Sequence, residues 1–160
     1  MNDRMIELRD MSSQEFERYR AHGIEEYARD LERALQLSRE LARVEAVATY
    51  DASLPQGLAT PNHRLVCAQL AGSEENIGIV WYTLKQRTYG KQLFVYDFEV
   101  DTAWRGKGYG EKILCAVLKA GRIAGAEYAE LAVFNDNPTA VRLYTRLGFK
   151  SVNTRMHRKL

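Results

Sequence analysis

Cysteine, proline and long apolar runs are all scarce in this chain of 160 residues. The two cysteines, Cys67 and Cys115, sit in apolar stretches with neither metal-ligand spacing nor disulfide density. Both therefore read as reduced packing residues of a cytoplasmic protein. The longest clean apolar run, Ile77–Tyr82, is far short of the ~20 residues a membrane helix needs. Residues Met1–Asp10 alternate charged with apolar side chains and contain no hydrophobic core segment, so no secretory signal is expected. His22, His63 and His157 have no paired spacing, which argues against a metal site. What is present looks globular: 46% hydrophobic and 28% charged residues exclude wholesale disorder. The length suits a single domain over residues 1–160.

Net charge is only +2, and its basic residues are scattered. Nucleic-acid binders concentrate basic side chains on one face, so no nucleic-acid partner is expected. The charge is nevertheless uneven, with −4 over residues 1–57 and +6 over residues 58–160. Such a division suits a second half that holds an anion and a first half that tolerates a cation.

Met5, Ile6, Leu8 and Met11 suggest a short opening strand, after which Ser12 or Ser13 caps a helix with Glu15 close behind. Phe16, Tyr19, Ile24, Tyr27, Leu31, Leu37, Leu41 and Val44 recur at helical spacing. They predict two helices, or one kinked near Gly23, over about residues 12–47. The segment Leu54–His63 holds two of the three prolines and breaks both helix and strand. Strands are expected at Leu65–Leu70, Ile77–Leu84 and Gln92–Val100, with Tyr89-Gly90 at a hairpin tip. A helix over 110–124, a strand at Tyr128–Phe134, a helix at Asn137–Leu147 and one or two strands over 149–158 complete the pattern. Together they imply a mixed α/β sheet.

The chemistry concentrates after the Gln92–Val100 strand. Arg105-Gly106-Lys107-Gly108-Tyr109-Gly110 is a glycine-rich turn opening a helix. Glycines let backbone N–H groups converge, and a helix N-terminus adds partial positive charge, so the turn suits a pyrophosphate. Arg105 and Lys107 add point charges. A dinucleotide fingerprint fails because Glu111 stands where glycine is needed, and a P-loop fails because Gly108 follows Lys107. A plain glycine-rich connector remains the bland alternative.

Arg105, Gly108 and Gly110 in Arg-x-x-Gly-x-Gly spacing resemble the acetyl-CoA loop of the GCN5-related N-acetyltransferases, the GNAT superfamily. A second segment, Asn137-Pro138-Thr139-Ala140-Val141-Arg142-Leu143-Tyr144-Thr145-Arg146-Leu147-Gly148-Phe149, resembles the family's Asn-x-x-Ala-x-x-Leu-Tyr-x-x-Leu-Gly-Phe pattern. The resemblance is firm over about residues 60–160 and extends to small bacterial members sharing Tyr96-Asp97-Phe98. It implies a central, mostly antiparallel mixed sheet of about seven strands flanked by about four helices. It also implies transfer of an acetyl group from acetyl-CoA to a primary amine on a small molecule, peptide or protein. The alternative from another class is a non-catalytic acyl-CoA-binding module on the same fold. Family habit further suggests a homodimer.

By that resemblance a bulge splays the Tyr96–Val100 strand, and Phe98 and Val100 pair with the pantetheine arm through their backbone. Val100 N–H serves as oxyanion donor. Arg105, Gly106, Lys107, Gly108, Tyr109, Gly110 and Asn137 hold the cofactor, while Tyr144 faces its sulfur. Asn137 and Pro138 also make a ready-made helix start, and Tyr144 has a plain reading as a core aromatic. Asp97 is favoured as amine anchor or proton acceptor, with Glu99 as the second acid. Tyr27 and His63 are candidate acceptor-wall residues, although a lone loop histidine is ordinarily just surface.

Overall fold

The computed structural model describes residues 5–160, so Met1–Arg4 of the opening segment lie outside the described residues. Among these, β1 (Ile6–Asp10) leads into α1 (Ser13–Leu35) and α2 (Arg39–Ser53). After a short 3-10 turn follow β2 (His63–Leu70), β3 (Asn76–Arg87) and β4 (Gly90–Val100). The chain continues through α3 (Tyr109–Ile123), β5 (Tyr128–Leu131) and α4 (Pro138–Arg146). The strands form one sheet in the order β1-β2-β3-β4-β5, antiparallel except for the parallel β4–β5 pair.

Period-2 alternation divides β2 between two cores. Leu65 and Cys67 pack beneath α1 and α2, while Val66, Ala68 and Leu70 join Ile113 and Val117 of α3 on the other face. The start of α1 is a capping box. Ser12 Oγ accepts from the Glu15 N–H at 3.2 Å, and the Ser12 N–H donates to Glu15 Oε2 at 2.8 Å.

The structure corrects several expectations. Helix α1 runs straight through Gly23, and the break falls at Gln36, in the left-handed region at φ 54°. Gly23 is there for packing: a Cβ would lie 2.3 Å from the Tyr50 hydroxyl of α2. The buried stripe of α2 is Ala42, Ala46 and Tyr50, so Leu41 and Val44 face outward. Alanines let the two helices approach closely, which rotates the larger residues away from the contact. Cys67 is buried, but Cys115 is exposed and is no packing residue.

At the C-terminal end the sheet has five strands, not seven. Strand β5 stops at Leu131, and residues 149–158 form no strand. A strand needs a neighbour, and no strand among the described residues pairs with the outer edge of β5.

Candidate active site

The site begins with a register change. Gly78 through Trp81 face Val100 through Asp97, but Tyr82 then faces Val95, so Tyr96 is the extra residue of a bulge. Strand β5 pairs only with Gln92–Val95. Beyond the bulge, Tyr96–Val100 therefore have no strand on that side, and a cleft opens between the two walls. The Asp101 N–H donates to Ile77 O at 2.9 Å, toward β3. By alternation the Phe98 and Val100 N–H groups turn to the cleft. That of Phe98 donates to Asp97 Oδ1 at 2.8 Å.

Because the bulge precedes them, Asp97 and Glu99 share one face of β4, and both meet α1. Tyr19 Oη donates to Asp97 Oδ2 at 2.9 Å, and His22 Nε2 lies 3.1 Å from Glu99 Oε2. Tyr50 closes the group, its hydroxyl 3.5 Å from that of Tyr19. Burial raises the Asp97 pKa above its ordinary value and outweighs the opposing hydrogen bonds from Tyr19 and Phe98. Glu99 is instead engaged by a cation, 3.0 Å from Arg105 Nη2.

Tyr144 reaches the site from α4. Its hydroxyl is pushed up to about 12, first by burial and then by the nearby Asp97 charge, so it keeps its proton at neutral pH. Asn137 caps the same helix, its Oδ1 accepting from the Ala140 N–H at 3.1 Å.

In the turn before α3, Gly106 and Gly108 adopt φ values of 71° and 81°, which L side chains rarely tolerate. Nothing lies within 4 Å of where their Cβ atoms would be, so the backbone faces open space at a helix N-terminus. That concavity fits a pyrophosphate. Gly110 differs: a Cβ there would stand 3.3 Å from Leu143 and 3.6 Å from Phe98 and Val100. It seats α3 against β4 and α4. Arg105 folds back, donating through Nε to Val100 O at 2.7 Å, and Lys107 Nζ donates to Ala103 O at 2.8 Å. Tyr109 packs edge-on against Trp104.

The structure thus gathers Asp97, Glu99, Tyr144 and the Phe98–Val100 backbone around one cleft, with the glycine turn at its end. His63 stands apart from the acids, its Nδ1 accepting from Trp81 Nε1 at 2.9 Å and its ring against Tyr96. Burial and then the Lys85 charge lower its pKa, which favours the neutral ring. Tyr27 packs on Phe134 at 6.5 Å, bridging α1 to the chain beyond β5. Sequence reasoning missed Tyr19, His22 and Tyr50. A signal existed for two of them. Residues three apart on a helix rise about 4.5 Å and residues two apart on a strand about 6.7 Å, so Tyr19 and His22 can overlie Asp97 and Glu99.

The comparisons decide the family. Residues 26–149 match the acetyltransferase (GNAT) family. The chain belongs to that family and is an acetyltransferase. It is 32% identical to the uncharacterized N-acetyltransferase YycN of Bacillus subtilis over 155 residues, 97% of this chain and 99% of that one. The YycN crystal structure aligns with a TM-score of 0.91 at 31% identity, covering 98% of this chain and 99% of that one. The thialysine N-epsilon-acetyltransferase of Bos taurus is 29% identical over 127 residues, 71% of this chain and 75% of that protein. Among the described residues, no group of three or more His, Cys, Asp or Glu is placed to hold a metal, and no helix is long and apolar enough to cross a membrane.

Proposed function

We propose that residues 1–160 form one cytoplasmic catalytic unit that moves the acetyl group of acetyl-CoA directly onto a primary amine. The observation that carries the reading is the bulge at Tyr96, which leaves the edge of β4 beyond it unpaired beside Asp97, with Tyr144 of α4 near that acid and the open glycine turn at the end of the cleft. The turn and the start of α3 hold the pyrophosphate, with Asn137 on the neighbouring helix. The unpaired edge of β4 receives the pantetheine arm as an added strand.

Acetyl-CoA supplies the activated thioester; the protein supplies position and proton transfer. An alkylamine with a pKa near ~10.4 is mostly protonated at pH 7, and freeing it costs about 4–5 kcal/mol. Asp97 accepts that proton, directly or through water, because its raised pKa makes it a better base than an ordinary carboxylate. Glu99 is the second acid beside the cleft, held in place by Arg105 and His22. The Val100 N–H donates to the carbonyl oxygen as negative charge develops there. Tyr144 Oη donates to the departing sulfur. Tyr27 and His63 flank the acceptor side as wall residues.

An amine panel assayed by free-thiol release tests the reaction, and calorimetry tests the cofactor site. Gly108→Val must abandon the left-handed conformation and intrude on the open turn, so acetyl-CoA affinity is expected to fall at least tenfold in a folded variant. Thermal stabilisation by acetyl-CoA with no thiol release from any amine would favour a binding module over an enzyme of this mechanism.

A further inference from the structure

Strand alternation places a second group of polar side chains on the face of the sheet that carries Asp97. His63 opens β2 opposite Thr83 of β3, and Lys85 follows two residues along on the same face. Trp81, two residues the other way, is paired with Asp97. The Tyr96 ring lies flat on Trp81 with centroids 4.5 Å apart, and the His63 ring meets Tyr96 at 5.3 Å and Trp81 at 5.9 Å. Lys85 completes the group, its Nζ donating to Tyr96 Oη at 2.8 Å.

Hydrogen bonding fixes what His63 offers. An indole N–H can only donate, so the 2.9 Å bond from Trp81 Nε1 makes His63 Nδ1 an acceptor. The neutral imidazole then carries its hydrogen on Nε2, whereas a protonated ring would set two N–H groups against each other. Among the described residues, nothing accepts from His63 Nε2 and no carboxylate pairs with Lys85. Both side chains are half-buried, so neither is a plain solvated fringe. A fixed neutral donor and a cation on one aromatic platform match an anion of single charge. The sign of the charge thus changes at Tyr96: Asp97 and Glu99 follow it along β4, while Lys85 reaches it from the opposite direction.

We propose that His63 and Lys85 bind a carboxylate carried by the acceptor, so that the substrate is a small amino acid with its amine at Asp97 and its carboxylate beyond Tyr96. An α-amine adjoins its own carboxyl group, too close to span the Tyr96 ring. The reacting amine therefore lies farther along the chain, as in an ω-amino acid. The acetyl-transfer reading supplies the position of the amine, whereas the anion subsite itself stands on His63, Lys85 and Tyr96.

The test is a set of straight-chain ω-amino acids, each assayed by thiol release beside the alkylamine of equal length, with wild type, Lys85→Met and Lys85→Glu. In the wild type, kcat/KM is expected to favour the ω-amino acid by at least roughly tenfold at the best chain length, with the difference in KM. That ratio should fall toward one in Lys85→Met and below one in Lys85→Glu, an order that a merely structural loss would not produce. Calorimetry of the same ω-amino acids against the free protein is read separately from turnover. Binding that is lost in Lys85→Met, without thiol release from any amine, would keep the anion subsite and remove the acetyl-transfer reading. No preference for the ω-amino acid in any pair, a preference that both variants retain, or neither binding nor thiol release would each overturn the subsite.

Discussion

Strands β4 and β5 are the two walls of one cleft, but they are held very differently. β4 is paired to β3 along its whole length and sandwiched between α1 and α3, with Leu93 and Val95 buried. β5 is paired only at Gln92–Val95, and the α4 helix that follows has no buried residue. The chemistry is divided along the same line. The acid Asp97 and the Val100 N–H sit on the fixed wall, whereas Tyr144 and Asn137 ride on the lightly packed one. In the proposed mechanism, proton acceptance and charge stabilisation thus depend on a framework that folding itself enforces. Leaving-group protonation, in the proposed mechanism, depends on a helix with no buried residue, which meets α3 through Leu143 beside Gly110 and the Arg146–Glu111 ion pair at 3.2 Å.

The largest effect expected from breaking this division comes from Tyr144→Phe. The ring remains, so stability should barely move, while the donor to the departing sulfur is lost. A donor of this kind contributes roughly 10²–10⁴ in rate. kcat should fall by that order with acetyl-CoA affinity retained, and the loss should shrink at high pH, where a thiol of pKa near ~8.5 leaves readily as thiolate. Near-wild-type kcat at neutral pH would reduce Tyr144 to a packing aromatic.

Stability should follow the same asymmetry. Leu93 is buried beneath Gly121 of α3, whose Cβ would lie 2.4 Å from it, so Leu93→Ala should cost about 2–5 kcal/mol. Val141→Ala on α4 should cost no more than about 0.5 kcal/mol. Urea unfolding of both variants measures the contrast, and equal losses would mean that α4 is packed as firmly as the sheet.

Tyr19→Phe sharpens the comparison within the fixed wall. Asp97 faces Tyr19 and His22 from α1, Tyr50 from α2, Glu99 on β4 and Tyr144 from α4. The Tyr19 hydrogen bond opposes the upward push of burial, so its loss raises the Asp97 pKa further. Less of the base is then ionised at low pH. The acid limb of the kcat/KM profile should move to higher pH, with about a tenfold loss on that limb, since a hydrogen bond to a charged group contributes about 1.5 kcal/mol. The plateau and the acetyl-CoA KM should hold. A uniform loss at all pH values would make Tyr19 merely structural.

Which parts were legible in the sequence follows from this same contrast. The helix over 109–123 and the three long strands were readable because their apolar periods are dictated by burial on a local scale. Gly23 misled because its purpose lies in another helix, at Tyr50. Leu41 misled because close alanine contact, not side-chain size, selects the buried face of α2. The glycine turn and the Asn137–Phe149 segment were found as spacing, but spacing did not separate Gly108, which opens the turn, from Gly110, which seats a helix. The Tyr19–Asp97 contact joins residues 78 apart, so local spacing could match Tyr19 and His22 to the two acids but could not show that the elements carrying them meet. Residues 149–158 carry a strand's alternation without a strand's neighbour, a case in which the local signal is satisfied and the tertiary one is not.

The smallest expected effect concerns how the fixed wall is anchored. The Glu15 carboxylate takes hydrogen bonds from Arg9 of β1 at 2.7 and 3.0 Å, from the Ser12 N–H at 2.8 Å and from Asn76 of β3 at 3.1 Å. One side chain therefore pins α1 to two strands. The Arg9 guanidinium foremost, and the Ser12 N–H next, hold its carboxyl well below the usual carboxylate range. A carboxylate whose folded pKa is depressed contributes stability above its unfolded value, near ~4.5, and that contribution is lost as pH falls through the interval below it. Glu15→Gln keeps the shape and the capping box but not the charge, and should cost about 1 kcal/mol at neutral pH, the upper end for a largely exposed ion pair. The gap between wild type and variant should narrow steadily as pH falls below ~4.5, because protonation then makes the wild type resemble the variant. A deficit of constant size across the acid range would show that Glu15 acts through shape alone and that its ion pair with Arg9 contributes nothing to holding α1 on the sheet.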